Sequence, residues 1–138
     1  MPIVKELTML IDDRPGTLGK VCSALAHRNI NILAFHSFPV GGKSVTRFVI
    51  DNPSAAKSVL DAEGFACAET EVVQVKLPHR PGELARIASR LGDARININY
   101  AYCGFEPTTN APLVFIGVSD ASHAAPVLEQ VAAAAAKP

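Results

Sequence analysis

The chain holds 138 residues, 49% of them hydrophobic and 19% charged, enough apolar material to bury a core and too much for extended disorder. Thirteen Lys and Arg balance thirteen Asp and Glu, so no basic surplus exists to neutralise nucleic-acid phosphates. No apolar run nears the roughly 18 residues of a membrane span, and the first residues lack the pattern of a secretory leader.

The elements are read in chain order. Residues around Ile3–Ile11 alternate loosely and are rich in β-branched and aliphatic types, which predicts a strand. Asp13-Arg14-Pro15-Gly16 breaks it, with the proline expected in the first turn of a helix. Leu18, Val21, Cys22, Leu25 and Ala26 fall at i, i+3, i+4, i+7 and i+8, the apolar stripe of that helix. Strands over roughly Ile32–Phe38 and Ser44–Asp51 follow, joined through Gly41-Gly42 as a hairpin. Asn52-Pro53 opens a second helix carrying Ala56, Val59 and Leu60, and Gly64 closes it. Phe65–Thr70 offers a last strand. Because 66–77 contains no Gly or Pro, that strand is expected to run straight into the next one.

The pattern then repeats. Arg14-Pro15-Gly16-Thr17-Leu18 returns as Arg80-Pro81-Gly82-Glu83-Leu84, an offset of 80 − 14 = 66. Val21, Leu25 and Ile30-Asn31-Ile32 return at the same offset as Ile87, Leu91 and Ile96-Asn97-Ile98. Val59-Leu60 returns as Val127-Leu128 at an offset of 68, which places two extra residues in the Gly104-to-Pro112 loop. The expected fold is α+β: two ferredoxin-like βαββαβ units, residues 1–70 and 71–138, each an antiparallel sheet with its helices on one face. Leu18, Val21, Leu25, Leu84, Ile87 and Leu91 are expected to be buried there. The second copy ends in alanines from Val131 to Pro138, so a helical or frayed tail and a missing or atypical fourth strand are expected. Pro126 belongs near a helix start, which favours Ser122 over Asp120 as the cap of the last helix.

At these residues the sequence resembles the ACT domain family. A strand leading into Asp13-Arg14-Pro15-Gly16-Thr17-Leu18 and then Ile30-Asn31-Ile32 looks like that family's motif. His79-Arg80-Pro81-Gly82-Glu83-Leu84 with Ile96-Asn97-Ile98 is similar, so the resemblance extends over a tandem pair. It implies a regulatory module that binds an amino acid between the strand-to-helix turn of one domain and the second strand of its neighbour. The contacts it implies are Asp13, Pro15, Gly16, Thr17, Leu18 and Asn31, and in the second copy His79, Pro81, Gly82, Glu83, Leu84 and Asn97. His79 departs from the pattern, standing where the first copy has Asp13.

The chemistry of these residue types fits an amino acid. Glycine at a helix start lets backbone N–H groups approach a carboxylate, and Asp13 could hold the ammonium. The bland alternative is that Arg-Pro-Gly merely turns the chain, with Asp13 beside the helix dipole and the asparagines in turns. Tyr100 and Tyr102 alternate on one strand, with sheet packing the expected role and pocket lining the alternative, and His36, an interface group or simply exposed, occupies the place of Tyr102 in the first copy. Cys22, Cys67 and Cys103 lie far apart and fit neither a metal pair nor a disulfide framework. A cytoplasmic protein with reduced thiols and no metal or cofactor is expected. No G-x-S-x-G, H-E-x-x-H or phosphate loop occurs, so no enzyme activity is expected. An RNA-binding use of this topology would need aromatic platforms that Ile3–Ile11 lacks. The leading expectation is therefore an amino-acid sensor, a homodimer that acts through a regulated enzyme or transcription factor. A dimerisation module without ligand is the rival.

Overall fold

The computed structural model describes residues 2–135, with side chains described through residue 132. Ten elements follow in the order β1 (Ile3–Asp12), α1 (Thr17–Ala26), β2 (Ile32–Val40), β3 (Lys43–Ile50), α2 (Pro53–Ala62), β4 (Ala68–Lys76), α3 (Glu83–Asp93), β5 (Tyr100–Phe105), β6 (Pro112–Gly117) and α4 (Ala121–Ala135). They group into two compact units, Lys5–Thr70 and Met1–Val4 with Glu71–Pro138, called here the N-terminal and C-terminal units. Each combines an antiparallel sheet with two helices, an α+β arrangement.

In the N-terminal unit β3 pairs antiparallel with both β1 and β2. Period-2 alternation turns Leu7, Met9 and Ile11 of β1 to one side, where they meet Val21 and Leu25 of α1 and Ala56 and Leu60 of α2. Both helices therefore cover the same face. The β2–β3 turn needs two residues with positive φ, and Gly41 (58°) and Gly42 (82°) supply them without steric cost. Asn52 caps α2 by accepting from the Ala55 N–H at 3.3 Å, with Pro53 directly after it. Where α1 ends, Asn29 turns left-handed (φ 57°) and the Ile30 N–H returns to the Leu25 carbonyl at 3.1 Å, which folds Ile30 into the core.

The C-terminal unit repeats this plan. β6 pairs antiparallel with β4 and β5, and Val73, Val75 and Leu77 pack with Ile87, Leu91, Ala124 and Leu128. Arg95 (φ 60°) and the Ile96 N–H bond to the Leu91 carbonyl, 2.8 Å, end α3 as Asn29 and Ile30 end α1. Six residues lie between the paired Phe105 and Pro112, against four between the paired Pro39 and Ser44. The two-residue insertion thus sits in this loop.

Several expectations need correction. Leu84 is not buried but 59% exposed, and Glu83 occupies the inward position of α3 at 8%; Leu18 is only half-buried. Pro15 stands in the turn before α1 rather than in its first helical turn. The strand expected from Phe65 begins at Ala68 and continues unbroken to Lys76, so the predicted continuity is present. Asp120, not Ser122, caps α4: its carboxylate accepts from the Ser122 hydroxyl (2.6 Å) and the His123 N–H (3.3 Å). Pro126 lies inside α4 and forfeits one helical bond whichever residue caps it, so its place does not select the cap. No strand follows α4 among the described residues. Instead the Pro2–Val4 segment lies in the C-terminal unit, where the Gln74 N–H donates to the Pro2 carbonyl at 2.6 Å and Ile3 packs on the core. The alanine tail is helical through Ala135; residues 136–138 lie outside the described residues.

Candidate functional site

Arg14-Pro15-Gly16-Thr17 forms a tight turn between β1 and α1. The Thr17 N–H bonds to the Arg14 carbonyl at 3.3 Å, and Gly16 takes φ 89°, ψ −15°. These are the marks of a type II turn, with Pro at the second position and Gly at the third, where only glycine adopts positive φ cheaply. Gly16 has no side chain with which to cap α1. The first-turn N–H groups around Leu18 therefore face outward without helical partners, as at any helix start, and favour an anion.

The turn separates two concave regions. On one side lies a cleft of about 770 Å³, bordered by Pro15, Gly16 and Thr17 together with the cations Arg14, Lys20 and Lys43 and the acids Asp12 and Glu63. On the other lies a smaller pocket of about 280 Å³ holding Asp13, Thr17 and Leu18 against Ser37, Phe38 and Ser44 of the hairpin. The expected contact set is divided between them, and Thr17 borders both. The smaller pocket unites a carboxylate with the N-terminus of α1. Asp13 is held in place by its N–H bond to the Gly42 carbonyl (3.3 Å) and by the Ser44 hydroxyl, which donates to its Oδ1 at 3.3 Å. Asn31 is not there: it lies beyond the opposite end of α1, its N–H bonded to Asp51 Oδ1 at 3.2 Å.

Asp12 was not singled out from the sequence, yet it organises the turn. Lys43 Nζ approaches its Oδ1 at 2.6 Å and Arg14 Nη2 its Oδ2 at 2.9 Å. Lys43, and then Arg14, hold the Asp12 carboxyl below its ordinary range. The pairing of Asp12 with Lys43 across β1 and β3 is the signal that would have found it, but only once the register is known.

The matching turn of the C-terminal unit has the same backbone and different chemistry. Gly82 takes φ 90°, ψ −13°, and the Glu83 N–H meets the Arg80 carbonyl at 3.5 Å. Pro78 and His79 stand 66 residues after Asp12 and Asp13, so both carboxylates are gone. Glu83 turns inward and accepts from Arg80 Nε (2.8 Å) and Arg86 Nη2 (2.7 Å). Those bonds, Arg86 first, hold its carboxyl below the ordinary range and commit it to the protein. His79, Pro81, Gly82 and Leu84 are exposed. Asn97 is also exposed and donates through Nδ2 to Asn99 Oδ1 at 3.0 Å.

Other singled-out residues are accounted for locally. Tyr102 stacks on Phe115 at 5.7 Å between centroids and on Tyr100 at 6.4 Å, a packing role. His36 Nε2 lies 3.2 Å from Arg47 Nη1, and Arg47 Nε lies 3.7 Å from the fully buried Glu6. Burial, then Arg47, pushes the His36 imidazole down. Among the described residues no group of His, Cys, Asp or Glu is arranged to hold a metal ion, and no helix is long and apolar enough to cross a membrane.

The ACT domain family matches residues 5–63, the stretch that contains the first turn and the whole of its smaller pocket. A solved protein from Bacteroides thetaiotaomicron shares 27% identity at a TM-score of 0.83, over 94% of this chain and 88% of its own. The regulatory subunit of aspartate kinase from Thermus thermophilus, in a ligand-free form, shares 22% at 0.68, over 96% and 92%. The corresponding subunit from Thermus flavus shares 20% at 0.62, over 95% and 93%. No curated protein matches the chain in sequence. The fold is thus ACT-like, similar to that of regulatory subunits.

Proposed function

We propose that this chain is a regulatory amino-acid-binding module rather than an enzyme, built as two tandem ACT-like domains. One observation carries the reading: within the stretch that matches the ACT family, Asp13 and the start of α1 share one small pocket. The ligand's carboxylate meets the N–H groups of the Gly16–Leu18 stretch, that of Thr17 being shared with the Arg14 carbonyl, and its ammonium meets Asp13. Asn31 and Asn97, at the far ends of their helices, contact a ligand only across a domain pair. The signal passes to a regulated enzyme or transcription factor through a change of partner or oligomer, in a cytoplasmic homodimer. Neither nucleic acid nor membrane is a partner.

Calorimetric titration of the chain against the twenty amino acids tests this. Saturable binding of one or a few, at millimolar or lower concentration, is expected. A dimerisation module without ligand is the second reading, favoured by the exposure of Leu10 (65%), Phe35 (52%) and Val40 (53%). It prevails if no amino acid binds while sedimentation reports a dimer.

A further inference from the structure

We propose that the C-terminal unit carries a second ligand site of different chemistry, a cleft that takes a small apolar carboxylate such as an aryl- or branched alkyl-carboxylic acid. The cleft encloses about 480 Å³ between the end of β4 and the start of β6, within the range of small-molecule sites. Its walls are Leu77, Pro78, Ala111, Pro112 and Ala132, none with a polar side chain. At its rim stand Lys76 and His79.

This cleft occupies the place that the larger, charge-lined cleft occupies in the N-terminal unit. Leu77 and Pro78 stand 66 residues after Ile11 and Asp12, and Ala111 and Ala132 stand 68 after Lys43 and Gly64. All four N-terminal counterparts border the first cleft. Replacing Asp12 by Pro78 and Lys43 by Ala111 removes an ion pair of 2.6 Å and leaves apolar surface. The occupant must then be apolar over most of its area, because a polar group pressed against these walls would find no hydrogen-bond partner. One end must be anionic, since the rim offers Lys76. Its Nζ lies 3.5 Å from Glu106 Oε2 in a pair more than half exposed on the lysine side, an arrangement a ligand carboxylate can share. No acidic side chain lines the cleft, and the Glu106 carboxylate beside Lys76 is already paired, so the ligand needs no amino group. That separates it from the pocket at Asp13.

The test is amide-shift titration of the full chain with phenylacetate, with benzyl alcohol as the uncharged comparison. Saturable shifts at Leu77, His79, Ala111 and Ala132 are expected, with the turn at Asp13–Leu18 unmoved. Lys76→Ala should weaken phenylacetate about fivefold, the scale of an exposed ion pair, and leave benzyl alcohol unchanged. Ala111→Lys with Pro78→Asp, which restores the polar pair of the first cleft at half-buried positions of its wall, should abolish both. The proposal falls if no saturable shift appears at millimolar phenylacetate. It falls equally if the shifts persist in the double variant, or if they centre on Asp13–Leu18. The first two outcomes leave amino-acid binding at the first turn untouched, since that is read from its own amides; the third would assign carboxylate binding to that turn alone.

Discussion

The two strand-to-helix turns share a backbone and differ in nearly everything that could touch a ligand. Gly16 and Gly82 agree within a few degrees, at φ 89°, ψ −15° and φ 90°, ψ −13°, because Pro-Gly fixes a type II turn whatever surrounds it. The flanking residues then set the chemistry. In the first turn Asp12 gathers Lys43 and Arg14, while Asp13 stands in a pocket beside the open end of α1. In the second, Pro78 and His79 remove both carboxylates, and the remaining acid, Glu83, is sealed between two arginines. A repeated motif here guarantees a repeated shape, not a repeated site.

The most severe break tests what the units have in common. Leu60 and Leu128 are fully buried at matching positions of α2 and α4, so Leu60→Ala and Leu128→Ala should each cost about 2–5 kcal/mol in denaturant unfolding. A cost in one unit alone would refute their equivalence. The next break is specific to the first turn. Asp13→Asn removes a charge-assisted bond worth about 1.5–3 kcal/mol, a roughly ten- to hundredfold loss of amino-acid affinity by calorimetry. His79→Asp should move the second turn toward the first. Smaller still, Gly16→Ala and Gly82→Ala force a side chain into the left-handed region. No neighbouring atom lies within 4 Å of the new Cβ in either case, so the cost is conformational, about 1–2 kcal/mol each by thermal melts.

These breaks also mark what could be read in advance. The helical stripe of Val21 and Leu25, the Gly41-Gly42 hairpin and the Asn52 cap were legible because each is fixed by local chemistry, and the two-residue insertion because the repeat offset changes from 66 to 68 across it. The inward turn of Glu83 was not. Helical periodicity allows position 83 or 84 to face the core, and the choice fell to Arg80 and Arg86, which satisfy the buried acid, leaving Leu84 outside. Nor was the Asp12–Lys43 pair, which depends on strand register. Nor was the place of Ile3, which the core of the C-terminal unit claims although its neighbours from Lys5 onward belong to the other unit. Of the named contact residues, Asp13, Thr17 and Leu18 border one pocket, whereas Asn31 stands beyond the opposite end of α1, bonded to Asp51.

The smallest effect sharpens the electrostatic contrast. Asp12 and Glu83 are both held below their ordinary values in the folded chain. Each therefore contributes stability that is full above its unfolded value and is lost as pH falls through the folded one, in the acid range below about pH 4. Salt should separate them. The Asp12 cluster is open to solvent, with side-chain exposures of 46%, 55% and 73% for Asp12, Lys43 and Arg14, whereas the side chain of Glu83 is only 10% exposed. Carboxyl titration by NMR at low and high ionic strength should move Asp12 toward its ordinary value and move Glu83 less. Equal movement would contradict the contrast.

The most direct measurement follows backbone amide shifts of the full chain as the best-binding amino acid is added. Saturating shifts at Gly16, Thr17, Leu18 and Ser44 are predicted, with Gly82, Glu83 and Leu84 still at rest. Equal shifts at both turns, or shifts at neither while the amino acid binds elsewhere, would contradict it.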